Sequence, residues 1–203
     1  MTEAILTAER ILDAAEQVLR RYGPAKTTVV DVARALGVSH GTIYRHFPSK
    51  SALREAVAAR WLHRVSEPLQ EVIADRSPAP QRLRRWFDTL MGVKRRKVLE
   101  DPELFATYHA LVEDAGTAIQ DHIEDLVSQL AAIIADGVAE GTLSVDDPQQ
   151  AARAVFQATI RFHHPVHAGD WQRPGIEDDF DALWELVMAG LTTGARGRAS
   201  KDG

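Results

Sequence analysis

Two stretches of this sequence are rich enough in hydrogen-bonding or metal-ligating side chains to do chemistry. The first is Thr27 to Leu53, TTVVDVARALGVSHGTIYRHFPSKSAL. It sets Thr28, Ser39, His40, Gly41, Thr42, Tyr44, Arg45, His46 and Lys50 among the apolar residues Val32, Ala33, Leu36, Val38, Ile43 and Phe47. These side chains suit recognition of DNA. An arginine can pair bidentately with guanine, and a threonine offers a methyl to thymine or a hydroxyl to a base. Tyrosine, histidine and lysine are natural donors to phosphate. Gly41 would let the backbone approach a base edge or a phosphate.

The second stretch is His163-His-Pro-Val-His-Ala-Gly-Asp170, which places three of the eight histidines within five residues. His163 and His167 have the i, i+4 spacing of two metal ligands on one helix face. Pro165 between them disfavours helix at His164. No glutamate in the pattern could serve as a general base. The sequence therefore reads here as a loop or broken helix, and no metal, cofactor or catalytic residue is assigned. A metal-dependent hydrolase built on this cluster would leave residues 27–53 unexplained.

The elements that must position the first stretch are helices. Ile11, Ala15, Val18 and Tyr22 recur at helical spacing, and Gly23-Pro24 stops that helix. Thr28 followed by Asp31 is the signature of a capping box. The helix it opens ends at Leu36-Gly37. Ser39 caps a second short helix from His40 to about Phe47, which Pro48 breaks. Helices this short are marginal alone and must pack on one another. Gly37 permits the positive φ of a tight turn. The unit reads as a helix-turn-helix whose second helix enters the major groove.

Beyond it, Ser49 can cap a long helix running from Lys50 into the 70s. Leu83, Phe87, Leu90 and Val93 mark a helix from about Gln81 to Val98. Asp101-Pro102 and Asp147-Pro148 open two more. Ile119 through Ile134 lie on a long amphipathic helix ending at Gly141. Phe180, Leu183, Trp184, Val187 and Leu191 define the last. Strand-type alternation is absent.

The chain has 203 residues, a net charge of −5 and no cysteine. Disulfides and thiol chemistry are thereby excluded, and the composition suits a reducing cytoplasm. No apolar run approaches the roughly 18 residues that span a membrane. The first residues lack the basic and long apolar regions of a signal peptide. Charge is unevenly spread: residues 1–60 carry nine Lys/Arg against six Asp/Glu, a balance of +3, and the remainder carries −8. A basic head on an acidic body fits local attraction to phosphate.

The stretch from residue 5 to 60 resembles the tetracycline-repressor (TetR) family. The matching elements are Ile11-Leu-Asp-Ala-Ala15, Tyr22-Gly23, Thr27-Thr28, Val32-Ala33, Leu36-Gly37-Val38-Ser39, Gly41-Thr42-Ile43-Tyr44 and His46-Phe47, then Lys50, Ala52 and Leu53. The resemblance implies an all-α protein of about nine helices, with a three-helix DNA-binding domain over 1–50. A long helix would join it to a ligand-binding and dimerisation domain over 51–194, and residues 195–203 read as a frayed tail. It further implies a cytoplasmic, sequence-specific regulator rather than an enzyme: a homodimer on a palindromic double-stranded operator, most simply a repressor released by a small-molecule effector. Carried over, Thr28, Thr42, Tyr44, His46 and Lys50 contact mostly phosphates, and His40, Gly41 and Arg45 fall where bases are read. Trp86, Phe87, Leu90, Phe105, Tyr108, His109 and Phe156, with Phe162, are candidate effector-pocket residues. His109, His122 and Arg161 are candidate polar groups there. Trp184, Val187 and Leu191 are candidates for the dimer interface. A helical adaptor that has lost DNA recognition is the bland alternative, and the intact hydroxyl, histidine and lysine set argues against it.

Overall fold

Capping residues, prolines and apolar spacing divide this chain into helices throughout. A computed structural model describes residues 6–113 and 116–193, so the 195–203 tail lies outside the described residues. Among the described residues there are eleven α-helices, one 3-10 helix and no strand. The helices are α1 (Ala8–Lys26), α2 (Val29–Leu36), α3 (His40–Tyr44), α4 (Lys50–Ser66), α5 (Leu69–Ala74), α6 (Ala79–Glu100), α7 (Pro102–Glu113), α8 (Gly116–Ala139), α9 (Pro148–Ala158), α10 (Ile160–His163), a 3-10 turn (Pro165–Asp170) and α11 (Ile176–Thr193). The fold is all-α. The count exceeds nine because short pieces break away at Pro68 and Thr159.

Several boundaries differ from expectation for local reasons. The helix from Lys50 stops at Ser66 and α5 begins at Leu69. Pro68 stands between them, and its ring and missing N–H oppose a continuous ladder. At the end of α1 the helix kinks at Gly23 (φ 73°, ψ 168°) and resumes for one short turn to Lys26. Tyr22, expected on the buried face, is exposed, with the Arg21 guanidinium 5.4 Å from its ring centroid.

The chain packs as two units. Among the described residues, the first takes those up to Arg64 together with those from Asp101 to His122, and the second takes Val65–Glu100 and those from Ile123 on. In the first, α1, α2 and α3 close on Ile11, Ala15, Val18, Val32 and Ile43, all buried. The larger of these, Ile11, Val18, Val32 and Ile43, each contribute about 1.5–3 kcal/mol by leaving water. Arg60 of α4 ties this unit to α1, donating to Glu16 at 2.9 Å and to Asp13 at 2.8 Å. The Trp61 ring stacks on Tyr108 of α7.

In the second unit, α6 supplies Leu83, Trp86, Phe87 and Leu90, and α8 supplies Leu126, Leu130, Ile133 and Ile134, all almost fully buried. Trp86 Nε1 donates to the buried Gln129 Oε1 at 3.0 Å, which removes the cost of an orphaned indole N–H. Gly137 of α8 is a point of close approach: a Cβ there would lie 2.6 Å from Leu143 and 2.9 Å from Ala79.

Candidate DNA interface

The turn between α2 and α3 is built by caps. The Thr28 hydroxyl accepts from the Asp31 amide at 3.2 Å, and the Thr28 amide donates to Asp31 Oδ2 at 3.1 Å. The hydroxyl also donates to Asp31 Oδ2 at 2.6 Å. That hydrogen bond, with Arg34 Nη1 at 2.9 Å from Asp31 Oδ1, holds the Asp31 carboxyl below its ordinary pKa. Two of the exposed amide groups of the first turn are thus satisfied, and the helix start is fixed.

Gly37 ends α2 at φ 67°, ψ 28°, a left-handed conformation that costs other residues about 1–2 kcal/mol. Its amide donates to the Arg34 carbonyl at 3.2 Å, and that of Val38 donates to Ala33 at 3.0 Å. Ser39 then caps α3, accepting from the Thr42 amide at 3.3 Å, with Thr42 Oγ1 2.9 Å from its own Oγ. The amides of His46 and Phe47 both reach the Ile43 carbonyl at 3.0 Å, so a tight turn follows α3 instead of further helix. Ser49 caps α4 through the Ala52 amide at 3.0 Å.

The consequence is a sorting of side chains. Val32, Ala33 and Ile43 are buried, and Leu36, Val38 and Phe47 are half-buried. Thr28, Ser39, His40, Gly41, Tyr44, Arg45, His46 and Lys50 are exposed, with Thr42 half-buried. His40 and Tyr44 meet edge to face, ring centroids 6.3 Å apart. Thr28 and Lys50 line one shallow hollow with Leu53 and Arg54, which brings the starts of α2 and α4 together. A Cβ on Gly41 would meet only Ser39 Oγ, at 3.8 Å, so nothing inside the protein requires a glycine there.

This sorting coincides with a match to the family model described as bacterial regulatory proteins, tetR family, over residues 11–57. A second model, tetracyclin repressor-like C-terminal domain, matches residues 79–184, just over half of the chain. The chain belongs to the TetR family. An uncharacterised HTH-type transcriptional regulator of Mycobacterium tuberculosis (strain CDC 1551) is 31% identical to it over 148 residues, covering 73% of this chain and 68% of that one. An HTH-type transcriptional repressor of Mycobacterium tuberculosis (strain H37Rv) is 30% identical over 173 residues, covering 75% and 91%. Among solved structures, a TetR/AcrR-family transcriptional regulator from Thermobifida fusca superposes with a TM-score of 0.61 at 19% identity, covering 90% of this chain and 97% of that one, a likeness of fold. As a member of the TetR family this protein is a DNA-binding transcriptional regulator, and no helix among its described residues is long and apolar enough to cross a membrane.

The candidate effector residues fall into two sets. Phe105, Tyr108 and His109 lie on α7 in the first unit, where Phe105 and Tyr108 pack on Trp61. Trp86, Phe87, Leu90, Phe156 and Phe162 lie in the second, all buried. His122 and Arg161 belong to different units as well. Of the dimer candidates, Trp184 and Leu191 point into the second unit and are buried, and Val187 is half-buried. On the outer side of the same helix Leu186 is 72% exposed.

The histidine stretch is dismantled by its backbone. His163 is buried at the end of α10, its Nε2 3.2 Å from Thr159 Oγ1 and 3.3 Å from the Phe156 carbonyl. His164 is extended (φ −84°, ψ 129°), and its Nδ1 accepts from the Val166 amide at 3.3 Å. Among the described residues no three His, Asp or Glu side chains are grouped as a metal site requires. Sequence reasoning missed Lys94, buried on the second unit. The signal was available, because Lys94 continues the apolar stripe of Phe87, Leu90 and Met91 at helical spacing.

Proposed function

We propose that this regulator is a homodimeric repressor that holds an inverted-repeat operator and releases it when a small organic effector occupies the helical region after residue 50. DNA reading belongs to residues 1–50, and effector binding and pairing to residues 51–194. The observation that carries this is the sorting of the helix-turn-helix. Its apolar residues face inward, while eight hydroxyl, histidine, cationic and glycine residues stand exposed around α3 and the starts of α2 and α4. In this reading Thr28, Thr42, Tyr44, His46 and Lys50 hold phosphates, and His40, Gly41 and Arg45 face base edges, with Ser39 fixing the helix that presents them. The TetR family supports effector control, which works by differential affinity for two spacings of the recognition helices. The outward face of α11, with Leu186 and the half-buried Val187, is the surface we assign to the second copy. The protein acts by binding, with no catalytic residue assigned.

Selection of bound sequences from pooled random duplex DNA tests the reading. The expected product is an inverted repeat with half-sites about one helical turn, roughly 10 base pairs, apart. Lys50→Ala should reduce the salt slope of binding by about one, as loss of one phosphate contact does. Enrichment of no sequence at low salt by folded, ligand-free dimer would overturn the assignment.

A further inference from the structure

We propose that Lys94 anchors the effector, and that the effector is therefore an organic acid, an anionic carboxylate on an aromatic body. This rests on the reading that the helical region after residue 50 receives the effector. Lys94 is 8% exposed on the inner face of α6, in line with Phe87, Leu90 and Met91. Its ammonium donates to the carbonyl oxygen of His163 at 2.8 Å. Among the described residues it forms no pair with a carboxylate. One carbonyl satisfies one of three N–H donors and none of the charge. A buried ammonium without a counter-ion is costly, and a methionine of similar length would fill the space without that cost.

The surroundings name the missing partner. His163 lies against Phe156, ring centroids 4.6 Å apart, and 6.2 Å from Phe87. Phe87 in turn packs on Trp86 and Trp184. His163 is neutral here: burial, then the Lys94 charge, takes its pKa down to about 3. The neighbourhood is aromatic, and the Lys94 charge in it has no carboxylate partner among the described residues, which fits one negative charge on an aromatic frame. The bond that Lys94 makes is also one it can exchange. The His163 carbonyl ends a four-residue helix, and the chain leaves it through the extended His164 into Pro165. Turning the flexible lysine stem from that carbonyl to a carboxylate replaces a neutral acceptor with an ionic one, and a charge-assisted bond is the stronger. The same turn frees the end of α10, so that binding is felt in the backbone.

The test uses a matched pair, 1-naphthoate and its uncharged analogue 1-naphthamide, with full-length protein. Equilibrium binding is followed by thermal shift and tryptophan quenching. The wild type should bind naphthoate at least about tenfold tighter than the amide, the difference one charge-assisted hydrogen bond makes. Lys94→Met should abolish that preference while keeping its helical circular dichroism and its DNA affinity, and Lys94→Arg should retain it. DNA affinity is read separately, so failure of the repressor reading is distinguishable from failure at Lys94. A wild type with no preference for naphthoate, or Lys94→Met binding it as tightly as wild type, overturns the proposal. If Lys94→Met does not fold, Lys94→Arg decides: loss of the preference with the charge retained also overturns it.

Discussion

The indole of Trp61 and the phenol ring of Tyr108 lie parallel, 5.2 Å between centroids and 9° between planes. They come from α4 and α7, 47 positions apart in the sequence, and both belong to the first unit. Burial raises the Tyr108 pKa to about 12. The folded value lies above the ordinary 10, so the stability contributed by the neutral phenol is complete below pH 10 and is lost as pH rises from about 10 to about 12. In an ultraviolet titration the Tyr108 phenol should ionise near pH 12. Trp61→Ala should cost about 3–5 kcal/mol in urea unfolding, the usual cost of deleting a buried aromatic.

Two glycines in the helix-turn-helix should behave oppositely. Gly37→Ala forces a side chain into a left-handed φ and should destabilise by about 1–2 kcal/mol. Gly41→Ala has room inside the protein and gains helix propensity, so stability should hold or rise by about 0.5–1 kcal/mol. If the α3 backbone meets DNA at Gly41, the same variant should lose operator affinity. Thermal unfolding and a binding isotherm on each variant separate the two roles, and unchanged affinity in Gly41→Ala would remove Gly41 from the interface.

Lys94 should also set a pH signature. Burial lowers its pKa from 10.5 to about 8. With the folded value depressed, the unfolded chain holds the proton more tightly. Stability should then rise as pH climbs from about 8 towards about 10, and fall back through 8 on acidification. Lys94→Met should flatten that rise in chemical denaturation, and an unaltered profile would mean that the amine titrates as it does in water.

Leu186→Glu places a charge on the outer face of α11, at a side chain 72% exposed in the single chain. Folding should be unaffected, and sedimentation should show a shift from dimer to monomer with weakened operator binding. Trp184→Ala should act differently. That ring is buried against Phe87 and Phe180, so its loss should lower the stability of the unit by about 3–5 kcal/mol. A dimer that survives Leu186→Glu would place the interface elsewhere.

The sequence determined whatever depends on neighbours a few residues apart. Thr28 with Asp31, Gly37, Ser39 and Pro48 mark helix ends through caps and backbone angles that are local by nature, so the helix-turn-helix and its exposed polar set were legible before any coordinates. The all-α class followed from helical periodicity in the same way. What periodicity cannot supply is which face meets which partner. An apolar stripe on α11 does not say that Trp184 turns inward on Phe87 while Leu186 turns outward. The aromatic residues of α6, α7 and α9 look alike in sequence, yet Tyr108 packs with Trp61 in one unit and Phe156 with His163 in the other. Lys94 stands on an apolar stripe that the sequence already displays, but its charge is closed over only when α10 arrives, from 69 positions away. Burial is a property of the tertiary structure, and it alone decided which residues surround Lys94 and His163.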